Sequence, residues 1–201
     1  MLQSHINENR SIYTFTIVLL VMGVIFGAVI VNSLPPQEKQ DLYLYLSKFF
    51  DEMSKGKFAS QQAMFAQSYS HYMKYAGFMW VLGLSVVGLP VILILLFLKG
   101  VVVGFTVGFL VNQMGWHGFM LALVSVLPQN FVLIPAFIVV STAAVAFSLK
   151  LIRRQFVQKT SMPILPLFMR YSLLVVTVGA FLCVVSLFEA YVSPVLMKVI
   201  I

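Results

Sequence analysis

Acidic side chains are nearly missing from this sequence. Glu8, Glu38, Asp41, Asp51, Glu52 and Glu189 are all that 201 residues contain, and none lies between Met53 and Leu187. A proton relay or an aspartyl intramembrane protease needs carboxylates inside the membrane, and that stretch offers none. Histidine is as scarce: His5, His71 and His117 are far apart, and no His-Glu-x-x-His metalloprotease motif occurs. A dyad of Ser85 or Ser125 with His117 lacks a glycine-flanked serine motif, so His117 reads as an interfacial residue beside Trp116. There is no phosphate-binding loop, so the chain does not itself hydrolyse ATP. The lone Cys183 forms no intrachain disulfide and reads as a small core residue. The expectation is a protein that is not an enzyme, with no catalytic residues, no cofactor and no metal.

Charge as a whole is scarce too. Charged residues make up 9% of the chain, against about 25% in soluble proteins. Hydrophobic residues make up 61%, and the mean hydropathy is +0.99. The apolar runs are continuous and do not alternate, which excludes a β-barrel. The fold class is all-α, a polytopic membrane protein. The net charge of +7 sits at predicted span ends. It therefore reads as a topology signal and not as a nucleic-acid surface. Ser11–Val31 is too long for the apolar core of a signal peptide, so it reads as a span.

Gly100–Leu149 contains no charged residue and is closed by Lys99 and Lys150. A span needs about 20 apolar residues, so two passes fit. The whole chain, 1–201, reads as one membrane domain with five transmembrane helices near 12–31, 75–98, 100–114, 131–149 and 165–187. Gly23 and Gly27 in the first span, and Gly100, Gly104 and Gly108 in the third, have the spacing that lets helices approach closely. Either ladder suits a homodimer or packing within one chain. Gly88 and Pro90 predict a kink in the second span. Polar residues at 112–117 and 129–130 predict a broken or re-entrant hairpin between spans three and four. Pro128 and Pro135 flank the start of the fourth.

The segment 37–74 is the only sizeable polar region. Leu42, Leu46, Phe49, Phe50 and Met53 fall on one helical face. Such a face either lies on membrane lipid or docks a partner. Phe65, Tyr69, Tyr72 and Met73 repeat the spacing further on. Lys150–Arg170 is short, basic and free of acids, which places it in the cytoplasm. The N-terminus is then cytoplasmic, and 37–74 and the C-terminus are external. Glu189 is the one acid near a span in the C-terminal two-thirds. It predicts a partner among Asn112, Gln129 and Asn130, or else a solvated helix end.

Two stretches carry a resemblance. Leu127-Pro-Gln-Asn-Phe-Val-Leu-Ile-Pro-Ala136 is similar to a Leu-Pro-His-Gly-x-x-Glu-Leu-Pro-Ala pattern, and Glu189-Ala-Tyr-Val-Ser-Pro194 to Glu-Gly-Phe-Val-Thr-Pro. Both patterns belong to the stage II sporulation protein M family. Here Gln129 and Asn130 stand in place of His-Gly, and Leu133 in place of Glu. The resemblance extends over nearly the whole chain. It implies a subunit of the engulfment machinery in the mother-cell membrane of an endospore-forming bacterium. The implied partners are stage II sporulation proteins D and P, which cut peptidoglycan. The expected function is a non-catalytic scaffold that positions these hydrolases. The rival is a permease-like subunit served by a separate ATPase.

Overall fold

Helices account for the regular structure in the computed structural model, which describes residues 6–54, 60–156 and 164–200, with no strand among them. They are α1 (Arg10–Ser33), α2 (Pro36–Ser54), α3 (Gln61–Gly83), α4 (Gly88–Ser125), α5 (Leu127–Phe156) and α6 (Ile164–Ile200). Four are long and apolar enough to cross a membrane, over Arg10–Ser33, Gly88–Leu123, Gln129–Arg153 and Leu165–Tyr191. Five spans were expected. The helix that falls outside the set is α3, whose first half is polar and whose second half is apolar. The side chains of Phe49, Phe50, Met53, Pro128 and Pro194 lie outside the described residues.

The second and third spans divide elsewhere than expected. No break occurs at Lys99 and Gly100, which are interior to α4. The break falls at 84–87, between Gly83 and Gly88. Pro90 sits in the first turn of α4, where its missing N–H costs no helical bond. It opens a helix there and does not kink one. The carbonyls freed at the end of α3 are met from other helices. Ser148 Oγ donates to Gly83 O at 2.8 Å and Ser85 O at 3.3 Å. Tyr171 Oη donates to Trp80 O at 3.1 Å. Its ring stacks on Phe147 at 4.8 Å between centroids.

The two glycine ladders pack on each other within the chain. A Cβ at Gly23 would meet Val101 N at 3.2 Å and Gly100 Cα at 3.3 Å, one at Gly27 would meet Phe105 N at 2.8 Å, and one at Gly104 would strike the Val24 backbone at 2.7 Å. Gly108 faces Ala28. The pairing rises in step along both helices, so α1 and α4 run parallel. The opposite face of α1, including Phe15, Met22, Ile25 and Phe26, is exposed. Both ladders are therefore occupied, and a homodimer has neither of them to use.

Elsewhere the directions follow from contacts. Ile92 shares a core with Ala143 and Ala144, and Lys99 meets Phe137, so α4 and α5 are antiparallel. Gly115 breaks α4 with φ 57° and ψ −131°, a conformation open to glycine alone. Beyond it the chain folds back, because Gly118 lies against the backbone of Leu110. It does not reverse again. Val126 N–H bonds Ala122 O at 2.9 Å, and Asn130 N–H bonds Val126 O at 3.2 Å. This bonding carries the descending limb into α5 through a helical Val126. The hairpin is broken at its tip, and 116–127 leads into α5 without dipping back by itself.

Candidate functional site

Where α3, α5 and α6 meet, three polar side chains close a triangle. Tyr72, on α3, is buried and donates its hydroxyl to Glu189 Oε2 at 2.6 Å. Gln129, in the first turn of α5, donates its amide to Glu189 Oε1 at 2.7 Å and also to Tyr72 Oη. Glu189, on α6, thus accepts on both oxygens, while the tyrosine hydroxyl donates once and accepts once. A phenol O–H donates and carboxylate oxygens accept, so each group plays the part that its chemistry allows.

A fourth helix brings a cation. Lys99 of α4 is half-buried, and its Nζ stands 5.5 Å from the centre of the Phe137 ring. The Phe137 ring meets Tyr75 edge-on at 5.6 Å. Tyr75 lies one helical turn from Tyr72. The ammonium is also within electrostatic reach of Glu189. The carboxylate therefore accepts two hydrogen bonds inside the bundle and has one cation further along it. Buried membrane charges persist on such terms, and they mark functional sites more often than chance placement does.

The structure sorts the residues that the sequence singled out. Of the three amides proposed for Glu189, Gln129 reaches it. Asn112 donates instead to Asn32 Oδ1 at 3.2 Å, tying the upper ends of α4 and α1. Asn130 is buried and bonds Val126 O of its own helix at 2.8 Å. Gly100, Gly104 and Gly108 lie in the α1–α4 seam, away from the cluster. Pro135 is inside α5. Leu42 is exposed and Leu46 half-buried on α2. His117 is exposed near the hairpin tip, beside an exposed Trp116.

Sequence reasoning missed Tyr72 and Lys99. Tyr72 is one of four aromatic or apolar residues that read as an external face. Lys99 read as the end of a span. The available signal was the length of the apolar run on both sides of Lys99, which suits a lysine inside a helix. Among the described residues, no three histidine, cysteine, aspartate or glutamate side chains are grouped to hold a metal.

The bundle geometry can bind helices to one another and hold one fixed negative charge near its rim. No curated protein and no solved structure matches the chain. A family model, described as stage II sporulation protein M, matches residues 16–194. That range takes in every helix of the bundle, the glycine seam and all four members of the polar cluster, and the chain belongs to the stage II sporulation protein M family.

Proposed function

We propose that this protein is a membrane scaffold that holds peptidoglycan hydrolases at the outer face of the engulfing membrane. The proposed partners are stage II sporulation proteins D and P. The observation that carries the reading is α2. Leu44 and Tyr45 are 59% and 75% exposed there, and no described residue of the helix is fully buried. A helix so little used by its own bundle is available to others. Its apolar set of Leu42, Leu46, Phe49, Phe50 and Met53 is proposed to hold it at the lipid surface and beside its partners.

The same reading has the chain cross the membrane five times. Parallel α1 and α4 need a return pass between them, and α3 is the helix in place to make it. The turn at 84–87 then lies on the cytoplasmic side with the basic loop after α5. The N-terminus is inside, while α2, the Gly115 tip and the C-terminus are outside. From Gly88 to Gly108, α4 rises about 30 Å, which matches the hydrocarbon thickness of a bilayer. Lys99 then sits about halfway through, and Gln129 with Glu189 near the outer edge.

The buried cluster favours a second reading, a permease-like subunit with a separate ATPase. Intramembrane ionisable residues often line pathways. Crosslinking in sporulating cells, followed by purification of the chain, separates the two. Recovery of wall hydrolases supports the scaffold. Recovery of an ATPase joined through Lys150–Arg170 or the N-terminal tail supports the permease.

A further inference from the structure

The turn at 84–87 is apolar and exposed. Leu84 and Val86 are 38% and 37% exposed, and Val87 is 75% exposed. Three helix ends stand at the same end of the bundle, and each carries an exposed cation. Arg10 opens α1, Lys150 and Arg153 lie in the last turns of α5, and Arg170 lies near the start of α6.

Contacts between the helices fix the height of these groups. Thr16 Oγ1 lies 3.1 Å from Thr142 Oγ1. Because α1 and α5 are antiparallel, Arg10 stands about 9 Å from that pair towards the Gly88 end, and Lys150 about 12 Å. Tyr171 stacks on Phe147, which brings the neighbouring Arg170 to within a helical turn of the same height. Ser148, between Phe147 and Lys150, holds the carbonyls of Gly83 and Ser85. The apolar turn and the cations of three helices therefore share one level. Arg153 stands one turn beyond Lys150 on the same helix face.

Charge at this level is one-sided. Four of the six acids lie on α2 and a fifth is Glu189, both at the other end of the bundle, so Glu8 is the one acid here. A level that exposes valines and cations side by side suits neither bulk water nor hydrocarbon. It has the composition of the boundary between them, where lipid phosphates stand. A free anion or an acidic protein would answer the cations and leave Val87 in water. A phospholipid answers both, with its phosphate on the cations and its acyl chains on the turn.

We infer that the Gly88 end of the bundle binds acidic phospholipids, their phosphates held by Arg10, Lys150, Arg153 and Arg170 beside the apolar turn. The inference rests on the five-span reading only for the leaflet, the inner one, and holds for scaffold and permease alike. Charge here then does more than orient the chain during insertion. It ties the stability of the folded bundle to the lipid around it.

The test uses the full chain in a neutral detergent, with phosphatidylglycerol or phosphatidylcholine titrated in and thermal unfolding as the readout. Phosphatidylglycerol should raise the unfolding midpoint, as any ligand of the folded state does, and less so as salt rises. Phosphatidylcholine should raise it less. A cation beside an acidic lipid surface is worth about fivefold in affinity. The triple variant Lys150→Gln, Arg153→Gln, Arg170→Gln should therefore need about tenfold more phosphatidylglycerol, or beyond, for half the effect. Lys39→Gln, Lys48→Gln, at the other end, should respond as the native chain does. If the triple variant does not fold, Arg153→Gln alone should show a smaller shift in the same direction. Equal stabilisation by both lipids, or variants at 150, 153 and 170 that respond like the native chain, would overturn the inference and leave the five passes untouched. Protection by inorganic phosphate or polyglutamate equal to that by phosphatidylglycerol would give the cations to a free anion or an acidic protein, and the inference would fail.

Discussion

Glu189 accepts from two donors; if Lys99 is its counter-charge, its substitutions should fall in a set order. Glu189→Ala leaves Tyr72 and Gln129 without their acceptor, and a buried unsatisfied donor costs about 1–3 kcal/mol. Glu189→Gln keeps an acceptor but strands Lys99, and should fall between alanine and the native residue. Combining Glu189→Gln with Lys99→Met removes both charges and should recover stability lost by Glu189→Gln, as replacement of a buried pair often does. Thermal unfolding in detergent reads all three. If the double variant is no better than the single one, Lys99 is not the counter-charge. Tyr72→Phe should cost roughly 0.6–2 kcal/mol, the range for one interhelical bond in a membrane. Glu189 was legible because it is the lone acid near a span in the C-terminal two-thirds, and Gln129 because polar residues are so few. Tyr72 was not, since its partners lie 57 and 117 residues away. Periodicity records a helix face and not what covers it.

Two kinds of glycine order the helices, and they fail differently. Gly104 faces the Val24 backbone so closely that any Cβ must push α1 and α4 apart. Gly104→Leu should destabilise strongly, and Gly104→Ala measurably, by overpacking. Gly115 has open space where a Cβ would stand. Gly115→Ala therefore costs backbone strain alone, about 1–3 kcal/mol, and should leave the α1–α4 seam in place. A crosslink between cysteines at Ala28 and Gly108 tests this, and should form in Gly115→Ala but not in Gly104→Leu. Equal loss in both would tie the seam to the hairpin tip. The ladders themselves were plain from spacing. Their pairing was not, because a small-residue face fits any helix that approaches it. The helix ends between α3 and α4 were misplaced for a related reason. Gly83, Ser85, Gly88 and Pro90 fit a kinked span as well as a turn. What decides for the turn is Ser148 and Tyr171, whose hydroxyls donate to the freed carbonyls from 65 and 91 residues away.

At the scale of the molecule, the question is which side of the membrane the 84–87 turn occupies. Hydropathy marks four helices as spans and passes over α3. Without α3, α4 would start outside and end inside, and the basic loop after α5 would face outward against the charge rule. The parallel seam of α1 and α4 would also be impossible, since two successive passes run in opposite directions. With α3 crossing, both conflicts disappear. Its polar first half, where Tyr72 finds Gln129 and Glu189, would then lie near the outer rim, and its apolar second half packs beside α5 and α6. Ser85 and His117 are both exposed and mark the two ends of α4. With Cys183 changed to serine, Ser85→Cys and His117→Cys each carry one reactive thiol. A membrane-impermeant maleimide added to intact protoplasts should label His117→Cys and leave Ser85→Cys untouched until the cells are opened. With the parallel seam kept, the reverse pattern would mean that the whole chain is inverted, with α2, the Gly115 tip and the C-terminus inside and the basic loop after α5 outside, against the charge rule.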